Sequence, residues 1–165
     1  MTLINATSSE VIEKLTNFLK NDSEIAYKST ELFGKVFSLQ VGLDHEDLPG
    51  KNKCPCVVIK SIPRTENTLQ QSNISYQALI SIVAYDESSE VLEEVLATGV
   101  KVYKYQAFVD VEKFREFIEY KIMAESGISD IVRNFSGTQS ETLKPLWISE
   151  TGIDFTFKQN FRRGI

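Results

Sequence analysis

The sequence predicts an α+β domain: a mixed, mainly antiparallel sheet packed by an N-terminal helix and a long central helix, with a C-terminal β-hairpin. Three observations predict it. Residues 73–86 alternate with a period of two, a strand pattern that no helix shows. Two stretches with helical periodicity begin near Glu10 and Asp110. The helical stretches are grouped rather than alternating with the strands, which favours α+β over a parallel α/β sheet.

The N-terminal half predicts one helix followed by strands. Thr7-Ser8-Ser9-Glu10 fits a capping box, and apolar residues at helical spacing continue to Lys20. Glu24–Phe33 has no decisive pattern. Polar loops are predicted at 44–53, around Pro49-Gly50, and at 64–72. Alternating or β-branched runs predict three strands, the last of them central in the sheet: Lys35–Leu43, Cys56–Ile62 and Asn73–Asp86.

The C-terminal half predicts a second long helix and a closing hairpin. Ser88 or Ser89 caps a short predicted helix that ends at Ala97, and Val100–Tyr105 is either a strand or connecting chain, so 88–108 stays open between helix and strand. Asp110 is the expected cap of the long helix, and Ser126-Gly127 ends it. The remaining predictions are a helical turn, a polar loop and a hairpin across Glu150-Thr151-Gly152: Ile128–Phe135, Gly137–Glu141, and Leu146–Ser149 with Ile153–Phe161.

Length and cysteine content set the class of protein. The 165 residues are expected to form one domain, 1–165, large enough to bury a core without disulfides or a metal. Residues 1–10 lack a basic segment followed by an apolar one, and no apolar run is long enough to span a bilayer. With only Cys54 and Cys56 as thiols, a cytoplasmic protein is expected, neither secreted nor membrane-bound.

The charge is acidic overall and unevenly distributed. A net charge of −5 and a pI of about 5.0 argue against a dedicated, sequence-specific nucleic-acid binder. Residues 86–96 contain acids and no base, whereas no acid follows Asp154. This asymmetry allows copies of the chain to meet acidic face to basic face, whereas charge runs of this kind more often form a polarised, solvated surface. The candidate interface residues are Glu87, Glu90, Glu93, Glu94, Lys158, Arg162 and Arg163.

The residue types that carry catalysis do not form a recognisable pattern. The single histidine, His45, lies in an acidic loop, and no glycine motif for phosphate is present, so neither an enzyme nor a cofactor is expected. Cys54, Cys56 and His45 offer three zinc ligands, but no second ligand pair follows, and burial of both thiols is the favoured interpretation. A basic-aromatic surface for nucleic acid is a further alternative, which the acidic total disfavours: Lys101, Tyr103, Lys104 and Tyr105.

The order of the elements resembles the tail-terminator and tail-completion proteins of long-tailed bacteriophages. The resemblance rests on the helix Glu10–Lys20, the proline-introduced strand from Cys54, the long strand Tyr76–Asp86, and a long helix followed by a C-terminal strand pair near Trp147, with Phe155-Thr156-Phe157 within it. Residues 88–108 are extra relative to a compact terminator.

The resemblance implies a structural protein that caps the tail tube as a ring, commonly a hexamer, and joins it to the head connector. It implies copies of itself, tail-tube protein and connector protein as partners, in the virion or the bacterial host cytoplasm of a phage or prophage. The alternative is a small ligand-binding or protein-interaction domain without catalysis. The loop residues expected to contact partners are His45, Asp47, Lys51, Lys53 and Arg64.

Overall fold

The computed structural model describes residues 8–42, 48–62 and 73–158. The helices are α1 (Ser8–Asn21), α2 (Ser23–Phe33) and α3 (Gln106–Glu125). The strands are β1 (Ser38–Val41), β2 (Cys56–Ile62), β3 (Asn73–Tyr85), β4 (Val91–Val95), β5 (Lys101–Lys104), β6 (Val132–Leu143) and β7 (Leu146–Lys158). The α+β prediction is confirmed.

Five strands form one mixed sheet in the order β1-β2-β3-β7-β6, and β4 pairs with β5 in a separate two-stranded sheet. Strand β1 runs parallel to β2, and the other neighbours in the large sheet are antiparallel. The predicted long strand is central: β3 pairs with β2 on one side and with β7 on the other, from Asn73 opposite Lys158 to Tyr85 opposite Leu146.

The helices cover one face of this sheet. Alternate residues of β3 from Tyr76 to Ala84 point to that face and are buried, as the period of two requires. They meet the apolar sides of α1 and α3 in one core: Val11, Leu15, Leu19, Val111, Phe114, Ile118 and Ile122. The apolar residues that recur every two positions along the strand and every 3.6 along the helices pack in the same layer, which explains why both periods are visible in the sequence.

Phe114 occupies the centre of this layer. Its side chain is fully buried, and its ring lies 5.6 Å from the ring of Phe33 and 5.8 Å from that of Phe37, measured between centroids. The two partners belong to α2 and to the chain just before β1. Phe114 thereby joins three parts of the fold at one point.

Helix α2, which had no decisive sequence pattern, is fixed by its N-cap. Asp22 accepts hydrogen bonds from the backbone N–H groups of Glu24 (2.9 Å) and Ile25 (3.0 Å). The other carboxylate oxygen of Asp22 lies 3.2 Å from Nζ of Lys121, a buried lysine on α3 that also contacts Glu24 at 2.9 Å and Glu125. One carboxylate thus starts α2 and ties it to α3.

The prediction of a helix at residues 88–97 is wrong. Val91–Val95 is strand β4, which turns back at Gly99 (φ 90°) into β5, Lys101–Lys104. The apolar pattern fits a helical stripe equally well, but the β-branched valines and a left-handed glycine favour a hairpin.

The predicted start of α3 is also wrong, because the helix begins at Gln106 and Asp110 lies inside it. The residue at the cap position, Tyr105, makes no side-chain capping bond, so no polar residue marked the true start. Asp110 is instead buried and accepts a hydrogen bond from Nε2 of Gln106 at 2.8 Å. The predicted end of the helix at Ser126-Gly127 is confirmed.

The last three sequence predictions placed the C-terminal hairpin wrongly. Residues 128–131 form a non-helical turn, and 137–141 belong to β6 rather than to a loop. Leu146–Lys158 is a single strand, so the hairpin turns at Lys144-Pro145 instead of at Gly152. Gly152 serves close packing: a Cβ there would lie 2.6 Å from Oγ of Ser136 and 2.8 Å from Nε2 of Gln77.

The prediction of a strand at Lys35–Leu43 is correct in type but too long, since β1 spans Ser38–Val41. The predicted polar stretch 64–72 lies wholly outside the described ranges, and the predicted capping box and the polar loop 44–53 lie partly outside them.

Candidate interaction surface

The hairpin of β4 and β5 is the least covered part of the described chain. All ten residues from Val91 to Val100 are exposed, and the two strands pair only with each other. One ion pair crosses the hairpin, from Nζ of Lys104 to a carboxylate oxygen of Glu93 at 3.3 Å. Its two side chains are 30% and 52% exposed, so water screens the pair and it stabilises the hairpin little.

Large apolar side chains are concentrated on this hairpin and the chain that follows it. Fourteen such side chains are exposed in the described residues, and eight of them lie between Val91 and Phe108. An apolar patch of this kind typically marks a site of protein–protein or ligand contact. The eight are Val91, Leu92, Val95, Leu96, Val100, Tyr103, Tyr105 and Phe108.

A groove of about 540 Å³ separates the hairpin from the body of the domain. Strand β5 lines one side with Val102 and Tyr103, and the start of α3 contributes Phe108 and Val109. Trp147, at the beginning of β7, and Lys144, in the turn before it, also line the groove. Most of this lining is apolar or aromatic.

Trp147 fixes the groove to the sheet. It is buried, its ring centroid lies 5.0 Å from that of Tyr105, and its indole N–H donates to the backbone oxygen of Asp86 at 3.2 Å. Asp86 is the first residue after β3, so this bond holds the chain that leads into the hairpin against the start of β7. Lys144 lies over the ring of Tyr105, with Nζ 6.0 Å from its centroid.

Four of the predicted interface residues are brought to this surface. Glu87, Glu90, Glu93 and Glu94 are exposed, on strand β4 and the chain before it rather than on a helix. Glu93 lines the groove, Glu87 accepts a hydrogen bond from the hydroxyl of Tyr85, and Glu90 lies beside Tyr105. The negative charge of Glu90 raises the pKa of Tyr105, helped by burial and by a hydrogen bond.

The other predicted interface residues are separate from the groove. Lys158 ends β7, at the opposite end of that strand from Trp147, and its side chain is not described. Arg162 and Arg163 lie outside the described residues. Of the predicted basic residues only Lys158 is placed, and it lies at the opposite end of the β3–β7 strand pair from the acidic segment.

The predicted partner-contact loop is described only in part. Lys51 and Lys53 are exposed in a turn, and Nζ of Lys51 lies 5.4 Å from the ring centroid of Tyr85. His45, Asp47 and Arg64 lie outside the described residues.

Both cysteines are buried on the sheet face that the helices do not cover. Cys54 and Cys56 pack with Val58, Val83 and Ile148 in a small second core, and both thiols are free. Burial and the neighbouring Cys56 raise the pKa of Cys54 to about 11, against a smaller opposing effect of Lys35. A thiol with that pKa is protonated at neutral pH and is a poor nucleophile or metal ligand.

Across the described residues, no cluster of three or more His, Cys, Asp or Glu side chains is arranged to hold a metal ion. None of the described helices is long and apolar enough to cross a membrane. The alternative basic-aromatic surface is interrupted by acids, because Lys104 pairs with Glu93 and Tyr105 lies beside Glu90.

Sequence reasoning found the acids of this surface but not its aromatic groove. The sequence points to Tyr103 and Tyr105 through the basic-aromatic pattern, and to Tyr103 also through the possible strand Val100–Tyr105, but no pattern points to Phe108 or Lys144. One feature of the sequence does point to this surface. Gly99 lies between two short runs rich in valine, a pattern typical of a β-hairpin whose side chains pack against another surface.

No protein-family model matches this chain, and a search of curated proteins returns no match. The chemistry of its own surface is therefore the guide to its function.

Proposed function

We propose that this chain is a structural assembly subunit that forms a homo-oligomer in the tail of a bacteriophage or prophage, capping the tail tube as a ring and joining it to the head connector. The observation that carries the proposal is the exposed apolar hairpin β4–β5. Side chains such as Val91 and Val95, 64% and 58% exposed, gain free energy when a partner removes them from water.

The distribution of charge supports a ring. Acidic residues cluster beside the hairpin at one end of the β3–β7 pair, and the basic residues follow Lys158 at the other end. Complementary patches at opposite ends of one subunit meet head to tail between copies. Such contacts close into a ring when the rotation between neighbours allows it.

The phage-tail role rests on the resemblance in element order. Helix α1, the strand β2 that follows Pro55, the long strand β3, and α3 followed by the β6–β7 pair are all present in that order. Trp147 lies at the start of β7, within the strand pair. The extra segment 88–108 contains the hairpin, so the departure from a compact terminator coincides with the proposed contact surface.

We expect the double substitution Val91→Ser/Val95→Ser to weaken self-association, raising the dissociation constant about tenfold for each valine, because each loses apolar surface that the contact would bury. Sedimentation velocity over a concentration series, with negative-stain microscopy of the assembled state, measures the effect. Val36→Ser is the matched control, since Val36 is 57% exposed and belongs to neither strand of the hairpin.

Equal association of the double variant and the control would remove the hairpin from the interface. A wild-type chain that stays monomeric at all concentrations, alone and with tail tubes, would reject the assembly role itself.

A second function, binding of a small apolar molecule without catalysis, is favoured by the groove volume of about 540 Å³, which lies within the usual range for ligand sites. It predicts a monomer whose Trp147 emission changes when an apolar fluorescent dye binds, with Phe108→Ser abolishing the change.

A further inference from the structure

The acidic and basic segments of one chain are too far apart to meet. Eleven residue steps separate Trp147, which lines the groove, from Lys158 along the continuous strand β7. At a rise of about 3.3 Å per residue, that is about 36 Å. The five residue steps from Lys158 to Arg163 reach at most about 18 Å when fully extended. The groove therefore cannot bind the basic segment that follows Lys158 in its own chain.

The sequence of that segment matches the chemistry of the groove. Phe161 is followed directly by Arg162 and Arg163, and no acid follows Asp154. An aromatic ring suits a groove lined by Phe108 and Trp147.

The guanidinium groups suit the rim of the groove. Glu90 lies beside Tyr105, and Glu94 is exposed on β4 next to Glu93, so two acids near the groove can pair with the two arginines. The exposed ring of Tyr103 also offers a face for a cation–π contact. The rim also carries cations, but Lys104 pairs with Glu93 and Lys144 lies over Tyr105. From Asp86 to Glu94 there are five acids and no base, so the potential on that side favours a basic segment.

We propose that the groove between the β4–β5 hairpin and α3 binds residues Phe161–Arg163 of a second copy of this chain. Phe161 enters the aromatic groove, and Arg162 and Arg163 pair with the acids of the hairpin segment. The proposal rests on the assembly role and adds to the exposed valines of the hairpin a second contact, in the groove beside them. Each subunit then has one groove and supplies one segment, which is the arrangement that a head-to-tail ring needs.

A peptide with the sequence of residues 158–165 tests the contact directly. The receptor is the full chain carrying Arg162→Glu/Arg163→Glu, whose own segment no longer competes. Trp147 is the only tryptophan and lines the groove, so its emission reports occupancy. We expect a saturable change in emission. The affinity that it reports should be at least tenfold lower for a peptide with Phe161→Ala and should fall when salt is added. No saturable change, or an equal response to a scrambled peptide, would overturn the proposal.

Mixing two full-length variants tests the same contact between subunits. The first carries Arg162→Glu/Arg163→Glu, and the second carries Tyr103→Ser/Phe108→Ser in the groove. Each alone is expected to lose self-association, whereas the mixture should form 1:1 dimers and nothing larger. These dimers form because the groove of the first variant and the segment of the second are both intact. Light scattering coupled to size-exclusion chromatography measures the masses.

The outcomes separate the two proposals. A wild-type chain that stays monomeric at all concentrations, alone and with tail tubes, rejects the assembly role, whatever the peptide does. A wild-type chain that assembles, together with both variants assembling as well as wild type, leaves the assembly role standing and rejects the docking of Phe161–Arg163. Failure of the mixture to form dimers, with both variants folded by circular dichroism, also rejects the docking.

Discussion

Replacing Phe114 by alanine should lower the free energy of unfolding by about 3–5 kcal/mol. The side chain is fully buried and packs against the rings of Phe33 and Phe37, so the substitution removes an aromatic ring and leaves a cavity where α2, α3 and the start of β1 meet. Urea unfolding measures the loss as a lower midpoint with an unchanged slope.

Phe108→Ala is the matched control, because Phe108 lies on the same helix but is 45% exposed. At a concentration where the chain is monomeric, its loss should be below about 1 kcal/mol. Similar losses at the two positions would show that Phe114 does not occupy a packed centre.

Lys121→Met should cost about 2–3 kcal/mol at neutral pH. The buried ammonium of Lys121 bridges Asp22, Glu24 and Glu125. Without it, Asp22 keeps a negative charge at a site where its side chain is only 9% exposed. The cost stays below the usual range for a broken buried pair because Glu24 and Glu125 are 68% and 51% exposed and remain solvated. Lys28→Met, in a partly exposed pair with Glu31, should change stability by less than about 1 kcal/mol.

The same lysine predicts a dependence on alkaline pH. Burial alone would lower the pKa of Lys121, but hydrogen bonds to Glu125, Glu24 and Asp22 outweigh it and raise the pKa above the ordinary value of 10.5. A raised native pKa stabilises the fold fully below about pH 10.5, and this stabilisation is lost as the pH rises through the native value. The difference in unfolding free energy between wild type and Lys121→Met should therefore shrink above pH 10.5, measured by urea titrations. A constant difference up to pH 12 would contradict the bridge.

The elements predicted correctly are those whose own sequence decides them. Strand β3 and helices α1 and α3 show a regular spacing of apolar residues over many positions, because one side of each faces the same core. The sequence does not decide helix α2, because its cap Asp22 directly follows the end of α1 and because Lys121, which ties it to α3, is far along the chain.

The elements predicted wrongly depend on pairing that no local pattern contains. In the sequence, Gly152 resembles a turn residue. Only the fold shows that it lies within strand β7, where Gln77 and Ser136 are too close to leave room for a Cβ atom. Valines at 91 and 95 fit both a helix and a strand until β5 folds back on them. The candidate surface was half predictable for the same reason: its acids follow from composition, but its groove combines side chains from residues 93–109 and 144–147 that only the fold brings together.

The acids that accompany the apolar hairpin have a consequence when two copies of the chain approach each other. A two-stranded hairpin with exposed valines and an open backbone edge is a template for irregular edge-to-edge aggregation. Because Glu90, Glu93 and Glu94 lie on or beside β4, two hairpins that approach each other bring like charges together and repel. At high local concentration, identical hairpins therefore repel each other despite their exposed apolar side chains, and the repulsion disappears only when the approaching surface is basic.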